Sequence, residues 1–144
     1  MRTRVAVLHG VNLDALARRP AEHYGGLTFG RLELRIEQFA RALRLEVIFF
    51  QSNHEGEYVE EIHRAGDYAD GLLLNPGAWT HYAWALRDAV EIAGLPAVEV
   101  HLSDVKHREP FRRTSVLEDV CVAAISGRGI DGYRDALEQL KAAW

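Results

Sequence analysis

Histidines, asparagines and arginines recur in this chain just after its short apolar runs, where they could hold a small anion and move protons on it. The first run ends in His9-Gly10-Val11-Asn12, the second in Gln51-Ser52-Asn53-His54, the third in Asn75-Pro76-Gly77 and the fourth in Glu99-Val100-His101-Leu102-Ser103. Asn, Ser, Gly and Pro also end strands simply because they make turns, so no single position carries much weight. Their convergence with Arg18, Arg19, Tyr24, His81, Arg108, Arg112 and Arg113 on one edge is harder to assign to turns alone. Apart from Lys106 and Lys141, all 17 basic residues are arginine, whose planar fork suits a carboxylate or a phosphate. The spacing of Arg108 and Arg112 puts both on one side of a helical turn beside the proposed site, and Arg113 then points elsewhere, into a surface salt bridge. A merely solvated face is the plain alternative for the pair.

Glu99 and His101 are two apart, so on a strand their side chains leave the same face. A carboxylate beside an imidazole favours the imidazolium, which makes His101 a candidate general acid near neutral pH. As a bare pair, the two fit a buried structural histidine equally well. Asp88, within Leu86-Arg87-Asp88-Ala89, reads on its own as a helix-surface charge.

The elements that must position these groups follow from patterning. The 144 residues suit one domain, 1-144, and 48% hydrophobic with 26% charged residues is a globular composition with enough apolar mass for a core. A net charge of -4 lacks the electrostatic footprint of a nucleic-acid reader. One cysteine, Cys121, permits no intrachain disulfide and no cysteine-based zinc cage, and it sits in an apolar run as a small buried hydrophobe would. No apolar stretch approaches the ~20 residues that span a bilayer, and Met1-Arg2-Thr3-Arg4 leads straight into a strand-like run, so the expectation is a soluble, cytoplasmic protein with no membrane partner.

Short apolar runs alternate with amphipathic stretches, the pattern of a parallel sheet covered on both faces. Strands are predicted at 4–9, 45–51, 71–75, 97–101 and 120–126. Thr28 caps a helix with Leu32, Ile36, Phe39, Ala40 and Leu43 on one stripe; a second helix runs over 57–68 with Val59, Ile62 and Ala65 inward. A third spans 80–93 and closes at Gly94, and a last one covers 133–143. The segment 102–119 lacks a long helical pattern, although a parallel crossover needs about a dozen residues, so a functional loop with a short helical turn is expected there. The architecture predicted is an α/β, flavodoxin-like doubly wound sheet of five parallel strands in the order 2-1-3-4-5, the order being drawn from fold rules.

Three motifs fail on context. Gly127-x-Gly129-x-x-Gly132 follows a strand like a dinucleotide fingerprint, but only 12 residues remain after it, too few for an acidic ribose partner about 20 residues on. Glu60-x-x-His63 is half of a di-iron motif with no second copy, leaving no metal site. A phosphoreceiver would need an Asp where Asn75 stands and a Lys after the fifth strand.

Taken together, Gly10-x-Asn12-Leu13, Arg19-Pro20, Tyr24-Gly25, Gln51-Ser52-Asn53-x-Glu55-Gly56, Asn75-Pro76-Gly77-Ala78-x-Thr80-His81, Arg87-Asp88-Ala89, Glu99-x-His101-Leu102-Ser103, Arg108-Glu109-x-Phe111-Arg112 and Gly127-x-Gly129-x-x-Gly132-Tyr133 resemble the type II 3-dehydroquinate dehydratases, in order and from about residue 5 to 140. Val11, Asp14, Ala17, Asp104 and Tyr82-Ala83-Trp84 depart from the common family pattern at positions with no assigned catalytic role.

The resemblance implies a lyase without cofactor or metal that converts 3-dehydroquinate to 3-dehydroshikimate and water through an enolate, in the shikimate pathway to aromatic amino acids or in quinate breakdown. It implies a subunit assembled as a homo-oligomer, a dodecamer built of trimers. Tyr24 would take the proton alpha to the ketone with help from Arg19. His101, backed by Glu99, would protonate the departing hydroxyl, and Asn12 would hold a water against the enolate oxygen. Asn75, His81, Arg112 and the backbone amides of Leu102 and Ser103 would bind substrate, while Asp88 would serve a neighbouring subunit's site.

The chemistry sets its own condition. An ordinary tyrosine titrates near ~10, so phenolate at pH 7 costs about 4 kcal/mol, at ~1.36 kcal/mol per unit, unless a positive group stands beside it. Arg19, five residues before Tyr24 on a glycine-ended loop, is the candidate. Closure of that loop would expel water and strengthen the contact. Schiff-base dehydration has only Lys106 and Lys141 to draw on and would need a larger barrel. A binding module of the same fold for a small anion or nucleotide, without catalysis, is the alternative.

Overall fold

Alternation along Arg4–His9 (β1) sends Val5 and Val7 to one face and Ala6 and Leu8 to the other, and none is more than 1% exposed, so both faces of this strand are covered. The computed structural model describes residues 1–144 and shows how. Glu46–Gln51 (β2), Gly71–Asn75 (β3), Ala97–Val100 (β4) and Ala123–Ile125 (β5) join β1 in one sheet of order β2-β1-β3-β4-β5, every pair parallel. This is the flavodoxin-like arrangement predicted from the sequence.

Phe29–Ala42 (α2, after a short helix α1 at Ala21–Tyr24) and Asp131–Ala143 (α5) cover one face, burying Leu32, Ile36, Leu137 and Leu140 against Val5, Val7, Leu73 and Val98. Glu55–Arg64 (α3) and Trp84–Ala93 (α4) cover the other, with Tyr58, Ile62, Leu86 and Val90 against Ala6, Leu8, Leu72 and Leu74. Each of these large side chains contributes roughly 1.5–3 kcal/mol by leaving water. The Thr28 hydroxyl caps α2 by accepting the Arg31 N–H at 3.2 Å, and Gly94 closes α4 at φ 66°.

Several boundaries differ from expectation. The second helix starts two residues earlier and stops at Arg64, where a 3-10 turn takes over at Ala65–Asp67; its inward side is Tyr58, Glu61 and Ile62, with Val59 only partly buried. The third starts at Trp84, because Gly77–His81 forms a separate 3-10 turn. β5 begins at Ala123, since Glu118–Val120 is a turn, and the crossover before it holds two further 3-10 turns, Val105–His107 and Pro110–Arg113. Leu13–Arg18 and α1, unforeseen in the sequence, are short turns over the carboxyl ends of the strands. No helix is long and apolar enough to cross a membrane.

Candidate active site

Strand register builds the floor of the site. His9 aligns with both Gln51 and Asn75, so three strands end level and their loops converge. A Cβ on Gly10 would stand 2.5 Å from the Pro76 carbonyl carbon, so only glycine lets the loops after β1 and β3 touch. The Gln51 amide donates to the Gly10 carbonyl and to Asn53 Oδ1, each at 3.2 Å; Asn53 Oδ1 accepts the Asn12 N–H at 2.8 Å, and Asn53 Nδ2 donates to Asp14 at 3.1 Å. This net holds Asn12 at φ 69°, a left-handed conformation that asparagine tolerates.

Above the floor lies a cavity of about 500 Å3 lined by Asn12, Arg19, Tyr24, Asn75, His81, His101, Leu102, Ser103, Arg108 and Arg112, a volume suited to a small molecule. α1 presents Tyr24, and Gly25 and Gly26 follow it at φ 68° and 67°. The Tyr24 phenol oxygen accepts from Arg19 Nη2 at 2.7 Å and from Arg108 Nη1 at 2.8 Å. Two permanent cations thus donate to one phenol oxygen, each through a charge-assisted hydrogen bond. Arg108 also donates to Ser103 Oγ at 3.1 Å.

On β4, Glu99 is 1% exposed and accepts from His101 Nε2 at 2.5 Å. Burial, the largest influence, pushes the Glu99 carboxyl up, but hydrogen bonds from His101, Ser115 and Thr80 outweigh it and hold the group below the ordinary glutamate range. His101 continues the β4 ladder by donating its backbone N–H to Ile125 at 2.9 Å, so its ring stands on rigid structure. His81 stacks on it with centroids 6.5 Å apart. Because a carbonyl only accepts, His81 Nδ1 must donate to Thr114 O at 2.7 Å, which leaves Nε2 as an acceptor; burial pulls the His81 ring down from its ordinary range and keeps it neutral.

The N–H groups of Leu102 and Ser103, both nearly buried, donate to no group of the chain, whereas their carbonyls accept from Gly129 (3.2 Å) and Gly127 (3.0 Å). The glycine run therefore shapes this receptor loop. The Gly127 and Gly129 N–H groups are committed to these two carbonyls. Gly132 lets α5 sit close on the sheet, since a Cβ there would meet Val100 and Ile125 at 3.3 and 3.4 Å. Asn75 donates to the buried Tyr133 hydroxyl at 3.0 Å and accepts from Gly77 N, which fixes its amide at the cavity wall.

Two sequence expectations need correction. Arg108 and Arg112 do not share a helical turn: Arg108 is extended and only Arg112 lies in Pro110–Arg113, yet both reach the cavity. Arg113 makes no ion pair and turns away from the cavity. Asp88 is outside the cavity, exposed on α4. Sequence reasoning gave Arg108 no individual role; its signal was the arginine-rich crossover itself.

The sheet order and the position of the cavity define a flavodoxin-like subunit with its site beyond the strand ends, where open α/β folds bind ligands. Comparison with known proteins narrows this. The family model described as dehydroquinase class II matches residues 3–141, and the chain belongs to that family. It is 49% identical over 138 residues to a 3-dehydroquinate dehydratase of Thermotoga petrophila, covering 96% of this chain and 94% of the relative. A 3-dehydroquinate dehydratase of Bacillus licheniformis is 45% identical, with 92% of each chain covered. The crystal structure of a type II dehydroquinase from Butyrivibrio crossotus superposes with a TM-score of 0.92 at 38% identity, covering 97% of this chain and 98% of that one.

Proposed function

We infer that this chain is a 3-dehydroquinate dehydratase, a hydro-lyase that removes water from 3-dehydroquinate to give 3-dehydroshikimate. The observation that carries the mechanism is the Tyr24 oxygen between Arg19 and Arg108. As phenolate, Tyr24 takes the proton alpha to the substrate ketone and an enolate forms. The C–O bond of the departing hydroxyl then breaks, its electron pair leaves with oxygen, and the proton on His101 completes water. Glu99 supports the imidazolium, and Asn12 holds a water on the enolate oxygen. The free amides of Leu102 and Ser103 receive the substrate carboxylate, while Asn75, His81 and Arg112 hold its hydroxyls.

The subunit assembles as a dodecamer built of trimers and delivers Asp88 to a neighbour's site. Support comes from α4, where Asp88 lies on one exposed stripe between Trp84 and Ile92, 64% and 70% exposed. The enzyme works in the cytoplasm, in aromatic biosynthesis or quinate breakdown. The binding-module alternative is not favoured, because the family model and the named relatives are those of dehydroquinases.

Conjugated enone formation, followed by ultraviolet absorbance, tests the activity. Wild type produces it and Tyr24→Phe does not; retained turnover in Tyr24→Phe removes Tyr24 as the base. Sedimentation tests the assembly, and an active monomer would rule it out.

A further inference from the structure

We propose that the hydroxyls of Thr80 and Ser115 are positioning residues that hold Glu99 as an ionised acceptor and so decide which nitrogen of His101 carries the exchanging proton. The inference deepens the role of His101 given above and rests on it.

Glu99 Oε2 meets both His101 Nε2, at 2.5 Å, and the Thr80 hydroxyl, while Glu99 Oε1 accepts from Ser115 Oγ at 2.6 Å. Each hydroxyl owns one proton and two lone pairs. Ser115 Oγ already accepts the N–H groups of Leu117 and Glu118, at 3.2 and 3.1 Å, so its lone pairs are used and its proton goes to Glu99. Thr80 Oγ1 lies 3.1 Å from Ser115 Oγ but has no lone pair to donate to there, so its proton also goes to Glu99.

The proton between Glu99 and His101 has two possible homes. Two hydroxyl donors stabilise the carboxylate and oppose its moving to Glu99, so it stays on Nε2 in both the neutral and the charged imidazole. Gain and loss of a proton then occur at Nδ1, because Nε2 is the ring nitrogen bonded to Glu99, on a ring that lines the cavity. The remaining titratable groups around the pair are His81, Arg112, Lys106, Arg113, Glu118, Cys121 and Tyr58, and none of them hydrogen-bonds the Glu99 carboxylate.

Ser115 also belongs to the crossover that carries Arg108 and Arg112, and its neighbour Val116 donates to the Thr80 carbonyl at 2.8 Å. Docking of that segment on the sheet and the placing of the proton are thus one event.

The test is 15N NMR of the His101 ring, with kinetics on Thr80→Val combined with Ser115→Ala. Neutral His101 in wild type carries its proton on Nε2, and the double variant shows both tautomers. Its kcat falls about ten-fold or more with KM within about two-fold, as expected for hydrogen bonds to a charged group that act through the acid. Thr80→Ser and Ser115→Thr, which keep the hydroxyls, retain the wild-type tautomer. A wild-type ring protonated on Nδ1, or a double variant with wild-type tautomer and kcat, overturns the proposal. A wild-type ring protonated on Nδ1 overturns it even if the double variant does not fold. Mixed tautomers with unchanged kcat leave the clamp standing and instead remove His101 as the acid.

Discussion

Tyr24 and Arg108 are 84 positions apart in the chain and 2.8 Å apart at the phenol oxygen. Arg19, only five positions away, reaches the same oxygen from the other side at 2.7 Å. One local and one distant loop therefore meet on a single atom, and the base is complete only when both are docked. Arg19→Ala and Arg108→Ala should each lower kcat/KM by about ten-fold or more, because a charge-assisted donor to the phenol oxygen is lost. Wild-type kcat/KM in both variants would refute the coupling.

Gly10→Ala probes the floor. The new Cβ has no room beside Pro76, and the shift it forces passes directly to Asn75, whose carbonyl accepts the Gly10 N–H at 2.8 Å. Stability should fall by about 1–3 kcal/mol from overpacking, and kcat/KM by about a hundred-fold from displaced binding groups. Thermal melting and the enone assay check this; wild-type values in both would show that the two loops move apart freely.

Glu99 also links stability to pH. Its carboxyl is held below the ordinary range in the folded chain, so its contribution is present above the unfolded value of ~4.3 and is lost as pH falls through the lower folded value. Glu99→Gln should flatten the acid side of the stability curve below about pH 5, as read by urea unfolding at several pH values. A slope unchanged from wild type would mean that other carboxylates carry the acid sensitivity.

Burial, followed by the charges of Glu99 and Asp119, pushes the Cys121 thiol up to about 12. At pH 8 it should react with a disulfide reagent at least about a hundred-fold more slowly in the folded enzyme than in denaturant, since thiolate is the reacting form. Rapid modification of the folded enzyme would contradict this.

The sheet was legible because its strands are continuous apolar runs separated by periodic helices, and the strand-end residues could be named because sheet topology fixes where ligands sit. Three features were hidden for physical reasons. Leu13–Arg18 and α1 bury too little to show a periodic stripe, with only Leu13 and Leu16 inward. The meeting of Arg108 with Tyr24 is tertiary and leaves no local trace. Thr80 and Ser115 look like ordinary turn formers, and only the fold reveals that both hydroxyls turn to one carboxylate.

Helix α1 has no buried residue, so little apolar area fastens it over the cavity, and guanidinium contacts to a phenol do much of that work. Such contacts weaken with ionic strength, whereas the two cores beneath do not. Added sodium chloride should therefore slow turnover well before it lowers the melting temperature, making the enzyme's activity a gauge of salt in a way that its overall cohesion is not.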